Sequence, residues 1–228
     1  MTRIVNLLLA ALKWPCALIG VALLACLAEA VAQAAALIAS QPDRLWLFGF
    51  GAASWLVAWT LIFRRRAWGS WLPTLLHELT HALAAWLTFH RVVGLRASWR
   101  SGGEIEIVGG GNWFIAVAPY WLPLPAVAVA IASLSPAPMV GAWRAAGLGV
   151  ALAWQATVLS REIHRDQEDL RRAGWLFCAC TLPAANLLVV ALGLAWAALG
   201  PAAAGDVMIT VGEGLAELVA RAAALASG

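Results

Sequence analysis

From Val5 to Ala39 the chain carries only two charged residues, Lys13 and Glu29. A transmembrane helix needs about 20 predominantly apolar residues, so this run alone has length to spare for crossing a bilayer. It lacks a small-residue cleavage site after a short apolar core, so residues 5–38 are expected to be retained. The rest of the chain keeps the same character. Hydrophobic residues make up 63% of it and charged ones 12%, against about one quarter charged in a soluble domain. That leaves too little polar surface for water to solvate the whole molecule, and lipid must take its place. Fourteen Trp against one Tyr fit the same environment, because indole concentrates where bilayer meets water.

A net charge of +3 gives no broad field to attract nucleic acid. The arginines cluster instead, at Arg64-Arg65-Arg66, at Arg91, Arg96 and Arg100, and at Arg161, Arg165, Arg171 and Arg172. Such clusters mark cytoplasmic loops. The four cysteines, Cys16, Cys26, Cys178 and Cys180, sit in apolar runs without metal-site spacing and read as small hydrophobes.

Lys13-Trp14-Pro15 interrupts the first apolar run, which predicts an interfacial entry over residues 1–13 and a first span over 14–38. A second span covers 45–63, and a third apolar helix covers 67–89. Between Val92 and Gly111 the period changes: Val93, Leu95, Ile105 and Ile107 alternate around Ser101-Gly102-Gly103, the pattern of a β-hairpin. Segments 113–134 and 140–160 follow, the first bent by Pro119, Pro123 and Pro125. A polar loop, Arg161 to Arg172, precedes the last clear span, 174–199. In the tail, Glu213, Glu217 and Arg221 share one helical face, so 206–226 reads as an interfacial helix. The expected fold is an all-α polytopic membrane protein of about six transmembrane or re-entrant helices with one small β-hairpin. It forms a single membrane-embedded domain over 1–228, with a core at 67–199 and a tail at 200–228.

The chemistry lies in His77-Glu78-Leu79-Thr80-His81. In a helix, i and i+4 lie on one face about 6 Å apart along the axis, so both histidines can reach one zinc ion. Glu78 then stands where it can act as general base on a zinc-activated water. Two histidines and a glutamate in a lipid-embedded helix are costly, which sets this pattern apart from a chance match. Two histidines need a third protein ligand, and none lies on the same helix; His90 reads as interfacial. The stretch Ile163 to Gly174 just before the last span, acid-rich from Asp166 to Asp169, is the richest remaining source. Asn112 is a candidate substrate contact, as a donor to a substrate strand or a developing oxyanion.

His77-Glu78-Leu79-Thr80-His81-Ala82, the hairpin around Ser101-Gly102-Gly103, and Asp169-Leu170-Arg171-Arg172-Ala173-Gly174 together resemble the site-2 protease group of intramembrane zinc metalloproteases, especially its compact bacterial members. The resemblance spans roughly 70–190. It implies a multi-pass protein of the bacterial inner membrane, a Zn2+ cofactor and a membrane-protein or peptide substrate. It also implies His77, His81 and an aspartate as ligands, with Glu78 as base. Asp169 is the best match for the aspartate and Asp166 the next. Leu170 follows Asp169 where better-known members carry glycine. The hairpin is placed to pair with an unwound substrate segment by strand addition. Two other uses share these residues: a non-proteolytic scaffold or binding protein that keeps the fold, and a metal carrier that uses the histidines as a relay.

One conflict is built into this reading. The Arg blocks at 64–66 and 161–172 both read as cytoplasmic, so an even number of crossings separates them. Three apolar segments, 67–89, 113–134 and 140–160, lie between. Either 113–134 is re-entrant, or the 67–89 helix ends inside the membrane and the hairpin returns.

Overall fold

The computed structural model describes residues 1–64, 71–98, 102–135 and 140–227. Arg65, Arg66, Arg100, Ser101 and the expected helix start at 67–70 lie outside the described residues. The molecule is mostly helical. α1 spans Thr2–Ala39. α2 spans Pro42–Ala58 and continues as a π-helical turn, Trp59–Phe63. α3 spans Trp71–Leu87. Strands β1 (Val92–Ser98) and β2 (Gly102–Ile107) follow. α4 (Trp113–Val117) runs through a 3-10 turn, Ala118–Tyr120, to α5 (Leu124–Ala132). The chain ends with α6 (Val140–Glu162), α7 (Glu168–Ala173), α8 (Trp175–Leu199) and α9 (Pro201–Ser227). Among the described residues three helices, α1, α2 with its π-turn, and α8, are long and apolar enough to cross a membrane, fewer than the six expected. A fourth span results if α4 and α5, bent by 72°, count as one.

α1 does not break at Pro15, contrary to the expected division at residues 13 and 14. A proline removes one backbone hydrogen bond, and a long helix held by its neighbours absorbs that loss. Lys13 helps by lying over the Phe177 ring at the start of α8, 5.4 Å from its centroid.

Lipid tails are as apolar as leucine, so membrane helices associate through close packing of small residues. α1 and α8 run side by side, with Ala30, Ala34, Ala191 and Ala195 buried between them and α9. At Gly20 the Cys180 carbonyl of α8 leaves no room for a Cβ. α2 and α6 meet through a reciprocal pair: Gly51 packs on the Ala146 carbonyl, and Gly149 on the Phe48 carbonyl.

The bundle has two ends. At one, Arg161 near the close of α6 donates to the carbonyls of Phe63 and Arg64 at the close of α2, at 3.2 and 2.7 Å. α8 begins at this end. α3 both starts and finishes here. Its first half meets the last residue of α6, because His77 bonds Glu162. Just past its last turn, Thr2 donates to the Phe89 carbonyl and Asn6 Nδ2 lies 3.3 Å from His90 Nε2. α3 therefore does not run the length of the bundle. The bent α4–α5 pair does: Trp196 near the close of α8 donates to Ser133 just past α5. α6 then returns. Between the close of α2 and the close of α6, which Arg161 joins, the chain thus passes along the bundle twice, through the bent pair and α6.

β1 and β2 pair antiparallel, from Val92↔Ile107 to Ser98↔Gly102, with an irregularity between Val92 and Gly94. The hairpin lies along α3. Val92 and Ile107 pack on Ala84 and Ala85, and Gly103 reaches Glu78.

Candidate metal centre

α3 buries Glu78, Thr80, His81, Ala82, Ala84 and Ala85. The small residues let the hairpin and α4 approach closely, and the motif side chains project between them. α7 brings in the third group. Leu170 and Ala173 of this short helix are buried against Val117, Tyr120 and Phe177, which fixes Asp169 one residue before Leu170 and turns it toward α3. Asp166 lines the same cleft but is not part of the convergent group, whose members are His77, His81 and Asp169.

The geometry is tight. His77 Nε2 lies 3.1 Å from His81 Nε2 and 3.4 Å from Asp169 Oδ2, and His81 Nε2 lies 3.2 Å from that same oxygen. Each histidine is held from behind. His81 Nδ1 donates to the Ile115 carbonyl at 2.8 Å, and His77 Nδ1 bonds Glu162 Oε2 at 2.7 Å. A ring nitrogen that donates from Nδ1 leaves the Nε2 lone pair free in the neutral imidazole. Two imidazole nitrogens and a carboxylate oxygen thus converge on one point, and a cation bound there takes the place of the protons that otherwise link them. A tetrahedral ion with bonds near 2.0–2.1 Å separates its ligand atoms by about 3.3–3.4 Å, close to the observed triangle. The donor set fits a small divalent metal. Burial alone would raise the Asp169 carboxyl, but hydrogen bonds from His77 and His81 outweigh it and hold the group well below the usual carboxylate range.

Glu78 stands beside this triangle. Its side chain packs directly on the Cα of Gly103 in β2, where any Cβ would collide with it. The strand that flanks the site therefore touches the motif glutamate. A cleft of about 650 Å³ is lined by His77, Glu78, His81, Gly103, Ile105 and Asp169, and a second, of about 360 Å³, continues past Ile105 and Ile107 to Asn112. β2 forms a wall of both.

Asn112 is engaged on both sides of its amide. Its Oδ1 accepts the Ile115 N–H at 3.0 Å, capping α4, and its Nδ2 donates to Asn6 at 2.9 Å. It therefore sets the residue whose carbonyl orients His81. His90, read from the sequence as interfacial, is buried in a polar knot with Thr88 and the Gly110 carbonyl that ties the hairpin exit to α1.

Two residues at the site went unassigned in the sequence. Glu162 closes an apolar helix and precedes the acid-rich stretch by a few residues; an acid at the inner edge of a span is the signal it offers. Tyr120, the chain's single tyrosine, is fully buried. Its ring stands edge-on to His77 with centroids 5.5 Å apart, and its hydroxyl lies 3.5 Å from Asp169 Oδ2. Asn186 of α8 pins the turn by donating to the Tyr120 carbonyl at 2.9 Å.

Comparison with curated proteins gives no match, and comparison with solved structures gives none. The profile of the peptidase M50B-like family matches residues 50–165. That stretch takes in α3, the hairpin, the bent pair and α6, with His77, Glu78, His81 and Glu162 inside it and Asp169 just beyond. It is just over half of the chain, and in keeping with the site-2 protease resemblance of its sequence, the chain belongs to the peptidase M50B-like family.

Proposed function

We propose that this protein is an intramembrane zinc metalloprotease that hydrolyses a peptide bond of a membrane-protein substrate at the membrane boundary. The observation that carries the reading is the convergent triangle of His77, His81 and Asp169 with Glu78 beside it, at the foot of a cleft walled by a strand. Imidazole nitrogen with carboxylate oxygen in a tetrahedral frame suits zinc. Zinc, when bound, supplies the Lewis acidity that makes water nucleophilic near neutral pH.

The chain's own residues do the rest. Glu78 accepts a proton from the attacking water and returns it to the leaving amine. Glu162 and the Ile115 carbonyl hold the two imidazoles with Nε2 forward. β2 offers its unpaired backbone edge to an unwound substrate segment, which receives there the hydrogen bonds it loses on leaving its helix. The protein is read as a multi-pass protein of the bacterial inner membrane, with α3 and the hairpin forming a half-inserted layer at the cytoplasmic end.

Metal analysis of the purified protein, paired with cleavage of a single-span substrate before and after chelation, tests the reading. About one zinc per chain and chelator-sensitive cleavage are expected. A metal-free protein, or cleavage indifferent to chelation, overturns it.

Two variants probe the supporting residues. Glu162→Gln keeps the size of the side chain but weakens its hold on His77. Zinc affinity measured by chelator competition should fall about 10–100-fold, and an unchanged affinity would remove Glu162 from the site. Gly103→Ala forces the strand and Glu78 apart. Displacing a reacting group by about 1 Å can cost on the order of 100-fold in rate, so cleavage should drop by that order while zinc content stays at the wild-type level. Loss of zinc along with cleavage would show instead that the hairpin supports the ligands.

A further inference from the structure

At the end of the bundle away from the metal centre, two guanidinium groups lie along one face of α6 with no counter-ion among the described residues. Arg44 lies in the first turn of α2, and its guanidinium rests on the Cα of Gly141 in the first turn of α6. Arg144 lies three residues further along α6, on the same face, with its guanidinium against Gly200 at the α8–α9 junction. Both side chains are half-buried, and the Nε of Arg144 is shut off from solvent with no hydrogen-bond partner. Among the described residues no carboxylate comes within ion-pair distance of either. The starts of α2, α6 and α9 gather here with the closes of α1, α5 and α8, so helix dipoles largely cancel and the charge at this end is that of the arginines themselves. Sequestered cations that repel one another call for an anion.

The surroundings say which anion. Arg144 and Glu162 are eighteen positions apart on the single helix α6 (162 − 144), a rise of about 27 Å, close to the roughly 30 Å of a bilayer's hydrocarbon core. The metal centre and the arginine pair therefore sit at opposite headgroup levels. Trp46 and Trp143, each beside or near one of the arginines in sequence, are 79% and 72% exposed, as interfacial indoles are. Guanidinium binds phosphate oxygens through two parallel hydrogen bonds. We infer that Arg44 and Arg144 form a binding site for the phosphate group of a phospholipid in the leaflet opposite the metal centre. This site does not depend on the proteolytic reading.

The test is lipid retention by delipidated protein in non-ionic detergent, titrated with phosphatidylglycerol and read by native mass spectrometry. Wild type should hold one lipid, and Arg44→Gln/Arg144→Gln should bind it roughly thirtyfold more weakly, while Arg165→Gln at the other end matches wild type. Helical content by circular dichroism and monodisperse elution report that the double variant is folded. Should it fail to fold, the single variants carry the test with roughly fivefold losses each. Equal retention by wild type and variants overturns the site. Equal retention of diacylglycerol, which lacks the phosphate, reduces it to an acyl-chain contact. Displacement of the lipid by millimolar inorganic phosphate overturns the lipid assignment in favour of the free anion.

Discussion

Glu78→Gln is expected to leave the metal in place and lower peptide-bond cleavage by about 10²–10⁴-fold, the range that general-base catalysis supplies. The amide has the shape of the carboxylate, so the contact with Gly103 survives, and none of the three converging ligand atoms belongs to residue 78. What the amide lacks is a lone pair basic enough to take a proton from water. The pairing of readouts matters: zinc by metal analysis and turnover of a single-span substrate, on the same preparation. Wild-type turnover in this variant would move the base elsewhere, and Glu162, 2.7 Å from His77, is the nearest alternative carboxylate. Retained zinc with lost turnover also argues against a scaffold, which has no use for a base.

Asp169→Ala should have the second large effect, on the metal itself. Removing a residue that only supports a ligand costs about 10–100-fold in affinity, so removing a ligand should cost at least about 100-fold. The variant should purify without zinc and without activity. Asp166→Ala is the matched control. Asp166 shares the cleft but lies outside the triangle, so its loss should leave zinc stoichiometry unchanged. Full zinc retention in Asp169→Ala combined with loss in Asp166→Ala would exchange the two assignments.

How far the sequence carried depended on the range of the signal. The i, i+4 histidines needed only helical geometry, and α3 spans them both. The hairpin was readable from alternation around Ser101-Gly102-Gly103, because pleating has a period of two and glycines interrupt it, although the structure counts Gly102 and Gly103 as the start of β2. The bend at 113–134 followed from its prolines. Pro15 misled, because a proline's local cost says nothing of the neighbour that holds the helix on both sides of it, here α8. The path of α3 was not legible either. Its composition is that of a span, yet its ends are fixed by Glu162, Thr2 and Asn6, which are distant in sequence. Glu162 and Tyr120 escaped for the same reason: their meaning lies in what faces them across the bundle. Asn112 stood out as a polar residue after three glycines, but sequence cannot say that both ends of its amide are occupied. The third ligand was narrowed to Asp169 or Asp166 by resemblance, and only the burial of Leu170 and Ala173 sets which of the two faces the histidines.

The course of α3, which begins and ends at one end of the bundle, bears on what limits turnover. Hydrolysis consumes a water molecule, and a centre buried at mid-bilayer would have to import it along a wet channel. Here Glu162 and Asp169 remain about a quarter exposed, level with the ends of α6 and α8, so water arrives unaided. On the proposed proteolytic reading the difficulty would pass to the substrate, whose helix would have to open its final turns before β2 could receive them. Selection among substrates would then follow the fraying of the helix end rather than side-chain identity at the cleaved bond: a glycine or proline near the boundary would speed cleavage, and a well-capped terminus would resist it.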